Sequence, residues 1–235
     1  MKRVTMELGG HAPVIICDDA DLARATTELT RMKFMNAGQV CLSPTRFLVA
    51  RRVYGEFTER FRQSTEALLV DSGDVPNIDM GPLANIRRVQ AMGELVADAL
   101  SAGATAACGA RRLDRTGYFY APTILIDVPL TARAMNEEPF GPLALIRPFD
   151  DLDEAIVEAN RLPYGLASYV FTRSIANEAR ITERLDAGMV AVNRVFSSTI
   201  EAPFGGVKDS GYGTEGGTQA IRNFLNEKMI TRFVG

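Results

Sequence analysis

Apolar positions recur along the chain in two alternating rhythms. Short strand-like runs occur at Pro13-Val14-Ile15-Ile16-Cys17, Thr45 to Ala50, Leu143 to Phe149, Leu166 to Thr172 and Met189 to Val192. Between them, apolar residues fall three or four apart, the period of a helix with one buried face. Such stretches run from about Asp21 to Met35, Tyr54 to Val70, Arg87 to Ser101 and Ile175 to Leu185. Asp151, with Glu154 three residues on, reads as the N-cap of a further helix that lines up Leu152, Ala155, Ile156 and Ala159. Val4 to Leu8 reads as a strand closed by the Gly9-Gly10 turn, and another lies within Tyr118 to Val128. Asp71 to Pro82, with Gly73, Pro76 and Gly81, reads as a loop. Strands alternating with helices of this length need crossover connections. The pattern therefore predicts one α/β domain with an open, mostly parallel sheet flanked by helices.

Composition narrows the function classes. The chain has 235 residues, 46% apolar and 23% charged, enough to build a core without disulfides or metals. Net charge is −3 with both signs mixed along the chain, so no basic face for nucleic acid is expected. No apolar run approaches the ~20 residues of a membrane helix. The polar start, Met1-Lys2-Arg3, does not lead into a signal core. A soluble, cytoplasmic protein with neither nucleic-acid nor membrane partners is expected. Cys17, Cys41 and Cys108 have no CxxC spacing and His11 is the only histidine, which argues against a disulfide framework or a histidine-based metal site.

Three places carry residues suited to chemistry. Cys41 lies in Asn36-Ala37-Gly38-Gln39-Val40-Cys41-Leu42-Ser43-Pro44, where Gly38 loosens the end of a helix and Pro44 stops it resuming. A thiol at such a junction can face a cleft and meet backbone N–H groups that lower its pKa; a small buried hydrophobe is the alternative. Cys17 and Cys108, with apolar neighbours, are expected to be buried. Glu7, at the end of a strand, suits a general base if partly desolvated, or else is an exposed edge residue. Glu137-Glu138-Pro139-Phe140-Gly141-Pro142 is a rigid turn that presents carboxylates and a ring, either to a ligand or to solvent. Gly211 to Gly216 has the G-x-G-x-x-G spacing, but a glycine-rich loop precedes it and only nineteen residues follow, so it is not read as a dinucleotide site.

Together these segments resemble the aldehyde dehydrogenase superfamily. Met6-Glu7-Leu8-Gly9-Gly10 looks like its glutamate motif and Asn36 to Cys41 its nucleophile motif. Glu137 to Pro142 resembles its cofactor-contacting turn, and Pro203 to Gly211 its C-terminal signature. The resemblance implies that Cys41 attacks an aldehyde and that its backbone N–H forms half of an oxyanion hole. Glu7 then activates water, Glu138 and Phe140 hold the nicotinamide-ribose end of NAD or NADP, and Glu215 belongs to a secondary carboxylate relay. The succinate-semialdehyde branch is suggested by Ser197, Ser198 and Thr199, whose hydroxyls would meet a substrate carboxylate.

The family is about twice as long, so residues 1–225 correspond to its catalytic domain, with 1–10 as the strand that closes the cofactor domain. Residues 226–235 correspond to an oligomerisation strand, and a homo-oligomer is expected. Thr214 replaces the usual arginine before Glu215. Without the other half's contacts, the isolated chain is expected to show no NAD reduction and at most residual esterase activity. Two other functions remain open: a cofactor-independent cysteine hydrolase using Cys41 and His11, and a non-catalytic domain acting through association.

Overall fold

Residues 12–17 show why this sheet is covered on both faces. All six are buried; Val14 and Ile16 join one apolar cluster, while Ile15 and Cys17 join another on the opposite side. The structure, a computed structural model, describes residues 2–196 and 199–235. In chain order its elements are β1 (Met6–Glu7), β2 (Ala12–Ile16), α1 (Leu22–Phe34), β3 (Pro44–Ala50), α2 (Arg51–Glu66), α3 (Ile86–Ser101), β4 (Thr105–Cys108) and β5 (Thr123–Ile126). There follow β6 (Leu143–Phe149), α4 (Leu152–Asn160), β7 (Tyr164–Gly165), β8 (Ala167–Phe171), α5 (Ile175–Thr182), β9 (Met189–Val192), β10 (Val207–Lys208) and β11 (Gly211–Tyr212).

Seven strands form the main sheet in the order β4-β5-β6-β3-β2-β8-β9. All neighbours are parallel except β4, which runs antiparallel to β5. Helices α1, α2 and α3 cover one face through Leu29, Phe34, Phe57, Phe61, Met92 and Val96. Helices α4 and α5 cover the other through Ala155, Ile156, Ala159 and Ile181. The expected open, mostly parallel α/β sheet is therefore present.

Side chains fix where helices begin. Asp21, Asn85, Asp151 and Ser174 accept backbone N–H groups at the starts of α1, α3, α4 and α5. Helix α2 differs from the sequence reading. It begins directly after β3 at Arg51 and ends at Glu66, because Val70 is drawn into a bridge with Met80. β4 was not expected: Thr105-Ala106-Ala107-Cys108 has little strand propensity and forms by pairing with the stronger β5. β1 is only Met6–Glu7, paired with Gly211–Tyr212 in a small ribbon, while β7 pairs with β10 in a second one. Residues 226–235 form no strand within the chain.

Candidate active site

The motifs singled out in the sequence converge because of strand order. Glu138 precedes β6, Cys41 precedes β3, and Glu7 with Gly10 precedes β2; these three strands are neighbours in the sheet. The site therefore sits at the amino ends of the central parallel strands. The cleft at their carboxyl ends is lined by Cys17, Arg51 and Asp150 among others, and Arg51 and Asp150 form an exposed ion pair there at 2.5 Å.

The turn that carries Cys41 is held by its backbone and by polar contacts. Asn36, Ala37 and Gly38 have φ values of 50°, 53° and 70°, a left-handed run that ends the helix and redirects the chain. At Gly38 a Cβ would lie 2.1 Å from the Gly141 carbonyl oxygen, so only glycine lets the Glu137–Pro142 turn approach. The Asn36 amide donates to the Gln39 carbonyl and the Gln39 amide to that of Asn36, each at 3.0 Å. Beyond Cys41, the Tyr169 hydroxyl donates to the Leu42 carbonyl at 2.6 Å. The fully buried Lys33 ammonium donates to the Ser43 hydroxyl at 2.9 Å. Lys33, Ser43 and Tyr169 were missed by the sequence reading; their only signal was polar groups at positions whose periodicity places them inward.

Charges around the thiol correct one expectation. Burial pushes the Cys41 thiol up from its ordinary value, and the Glu7 and Glu138 carboxylates add to that rise. N–H groups of Leu42 and Cys41 oppose it, as the turn suggested, but do not prevail. Cys41 is half-buried and Cys17 fully buried; Cys108 is half-buried rather than buried because β4 is an edge strand. Burial pushes both Cys17 and Cys108 up to about 11.

Glu7 carries the most telling geometry. Both carboxylate oxygens are covered yet have no hydrogen-bond partner. Burial, followed by repulsion from Glu215, raises its pKa. Glu215 is held in place by paired backbone hydrogen bonds to Phe204, both at 2.7 Å. Glu138 lies across the site, where its Oε1 accepts the Gly10 N–H at 2.9 Å while Oε2 accepts nothing from the described residues. A Cβ at Gly9 would sit 2.3 Å from Oε2, so that glycine makes the carboxylate's seat. Burial raises the Glu138 pKa as well. Phe140 follows in the same turn, half-buried and with φ of 44°.

The remaining candidates divide. His11 cannot serve Cys41: it is fully buried, with Nδ1 2.6 Å from the Thr45 hydroxyl and Nε2 2.9 Å from the Ala134 carbonyl. Desolvation drives its pKa well below 6.5. Thr199 lines an apolar cavity of about 390 Å³ together with Val40 and Leu42, the residues flanking Cys41. Ser197 and Ser198 lie outside the described residues. Gly211-Tyr212 of the G-x-G-x-x-G stretch pairs with β1 in the ribbon that carries Glu7. No cluster of metal-binding side chains occurs among the described residues, and no helix is long and apolar enough to cross a membrane.

The fold and the thiol flanked by two raised carboxylates fit one family, and the chain belongs to it: residues 1–230 match the aldehyde dehydrogenase family. It is 52% identical over 230 residues to 4-(hydroxymethyl)benzenesulfonate dehydrogenase TsaD1 of Comamonas testosteroni, covering 98% of this chain and 48% of that protein. Against the NADP⁺ succinate-semialdehyde dehydrogenase GabD of Escherichia coli K12 it is 41% identical over 230 residues, again 98% and 48% of the two chains. Among solved structures, an E. coli NADP-dependent enzyme superposes with a TM-score of 0.94 at 41% identity, covering 96% of this chain and 47% of that one. The chain thus spans about half the length of the curated relatives it matches.

Proposed function

We propose that these residues are the catalytic portion of an enzyme that oxidises an aldehyde to a carboxylic acid. The observation that carries this reading is the Glu7 carboxylate, desolvated and unpartnered, in the electrostatic field of the Cys41 thiol. Leaving such an acceptor unmade costs stability, and sites of reaction are where that cost is retained.

The chemistry follows from these groups. Glu7 takes the thiol proton, and the Cys41 sulfur adds to the aldehyde carbon while the Cys41 backbone N–H faces the developing oxyanion. Glu138 and Phe140 would hold the nicotinamide-ribose end of NAD or NADP, with Oε2 of Glu138 placed to accept a ribose hydroxyl, and the cofactor would supply the hydride acceptor by which the Cys41 adduct becomes a thioester. Once Glu7 has passed the thiol proton to solvent, it removes a proton from water as that water attacks the thioester carbon. The C–S bond breaks, the acid departs and the thiolate is restored. Burial, reinforced by Glu215, keeps the Glu7 pKa raised, so Glu7 holds and releases protons nearer neutrality than an exposed glutamate. The two named relatives act on compounds that carry an anionic group away from the reacting carbon, which supports a substrate of the same kind.

Hydrolysis of p-nitrophenyl acetate tests the Cys41–Glu7 pair without a cofactor. Wild type is expected to turn over slowly and Cys41→Ala to fall to background. Glu7→Gln is expected to slow both acylation of the thiol and deacylation of the thioester, each by about 10²–10⁴. Unchanged hydrolysis by Cys41→Ala would overturn the reading. A non-catalytic role is favoured only if wild type shows no thiol-dependent acylation at all.

The chain is also proposed to associate with copies of itself. Met229, Ile230, Phe233 and Val234 are all exposed in the terminal segment, and such a row of apolar side chains is suited to covering by a neighbour.

A further inference from the structure

Two adjoining cavities run beside α1, and their linings differ in kind. The inner one is the apolar cavity of about 390 Å³ next to the nucleophile turn, walled by Met32, Met35, Leu42, Phe196 and Phe204 among others. The outer one, about 400 Å³, shares Met32, Met35 and Phe196 with it and adds Arg24, Glu28, Arg31 and Arg194. Helix geometry sets this order. Positions 24, 28, 31, 32 and 35 recur on one face; Arg31 stands about 6 Å and Arg24 about 16 Å along the axis from Met35, at the usual rise per residue.

Two guanidinium groups of the outer cavity, those of Arg24 and Arg31, stand in its lining with one carboxylate, that of Glu28. Among the described residues, Arg24 and Arg31 take part in no ion pair, whereas Arg46, Arg51, Arg62, Arg133 and Arg161 are each matched to a carboxylate.

We propose that the two cavities form one substrate site for an aromatic aldehyde that carries a sulfonate or carboxylate on the ring carbon opposite the aldehyde. The inference rests on Cys41 as the nucleophile and names the substrate class of that same site. The ring occupies the inner cavity between Met35, Phe196 and Phe204, where Tyr169 already meets Phe196 edge-on at 5.2 Å. The anion reaches Arg31 and then Arg24, whose planar forks suit a sulfonate or carboxylate. A para-substituted ring separates its two substituents by about one helical turn, the spacing from Met35 to Arg31. A short aliphatic semialdehyde would leave its carboxylate among methionine and phenylalanine side chains without a charged donor, which is unfavourable.

Binding of toluene-4-sulfonate and 4-methylbenzoate, measured by calorimetry on the full chain and on Cys41→Ala, tests this without any reaction at sulfur. Both anions are expected to bind roughly tenfold or more tighter than neutral 4-methylbenzyl alcohol, with a preference that shrinks in high salt. Propionate, an aliphatic anion, is expected to bind no better than the neutral alcohol. Arg24→Gln/Arg31→Gln should bring the aryl anions down to the neutral level and leave 4-methylbenzyl alcohol unchanged. Equal binding of anion and neutral compound, tighter binding of propionate, or a preference that survives the double variant would each overturn the proposal. If the preference holds while p-nitrophenyl acetate hydrolysis ignores Cys41→Ala, the anion site stands and the nucleophile assignment fails.

Discussion

The Cys41 thiol is arranged to be deprotonated by a base rather than to rest as a thiolate. Two carboxylates and partial burial hold the proton on sulfur, and a neighbouring Glu7 of raised pKa can receive it. Iodoacetamide should therefore modify Cys41 slowly at pH 6, with the rate rising at and above the ordinary thiol range. Glu138→Gln removes one of the opposing charges and is expected to raise the rate at pH 7 severalfold, read by intact mass. Cys17 and Cys108 should lag throughout. Lys33 poses a separate residue-scale question. Burial pushes it down to about 7 from 10.5, so the unfolded chain binds one more proton than the native chain between those values. Stability should then rise with pH across this window, by at most about 1.4 kcal/mol per unit from this group, and the full desolvation cost is carried below pH 7. In Lys33→Met the slope of urea stability between pH 7 and 9.5 should flatten relative to wild type. His11, buried neutral, acts on the acid side: stability falls as pH drops below 6.5, where only the unfolded chain takes up the proton.

Among elements, the left-handed turn after α1 and the buried central strand β3 fix the site's frame. Gly38→Ala would combine a strained φ with a Cβ 2.1 Å from the Gly141 carbonyl oxygen. The two turns bearing Cys41 and Glu138 would have to part, and a loss of about 1–3 kcal/mol is expected in denaturant unfolding. Thiol-dependent acylation should fall with it. Arg46 on β3 donates to the His11, Glu158 and Ala159 carbonyls and pairs with the Glu158 carboxylate at 3.2 Å. It ties the start of β2 to the end of α4. Arg46→Ala leaves those acceptors and a half-matched carboxylate behind and should cost about 3–5 kcal/mol.

For the whole molecule, exposed apolar residues follow one another most closely in two terminal stretches: Val4, Met6 and Leu8 near the start, and Phe224, Leu225, Met229, Ile230, Phe233 and Val234 near the end. Arg3 joins the two by donating to the Leu225 carbonyl and, at 3.1 Å, to the Asn226 side chain. Light scattering at high micromolar concentration should give a mass above the 25.6 kDa of one chain. Ile230→Asp/Phe233→Asp should return it to that mass with the far-ultraviolet circular dichroism unchanged. A wild-type mass of one chain would remove the case for association.

The sequence by itself determined the alternation of strands and helices, and hence a parallel sheet covered on both faces. Period and capping are local properties, written in residues such as Val14, Ile15 and Asp151. The motif segments around Glu7, Cys41 and Glu138 were legible for the same reason, since each is a short run of turn-forming and reactive residues. Only the tertiary structure decided that they meet, because the adjacency of β6, β3 and β2 is a matter of pairing between segments distant in the chain. It also decided the direction of the Cys41 pKa, which is set first by burial and then reinforced by carboxylates brought from 34 positions before it and 97 after it. The seats of Lys33, Ser43 and Tyr169 and the open arginine face of α1 belong to that second class. Desolvation and Coulomb interactions act through space, and a linear pattern records only which residues can take part.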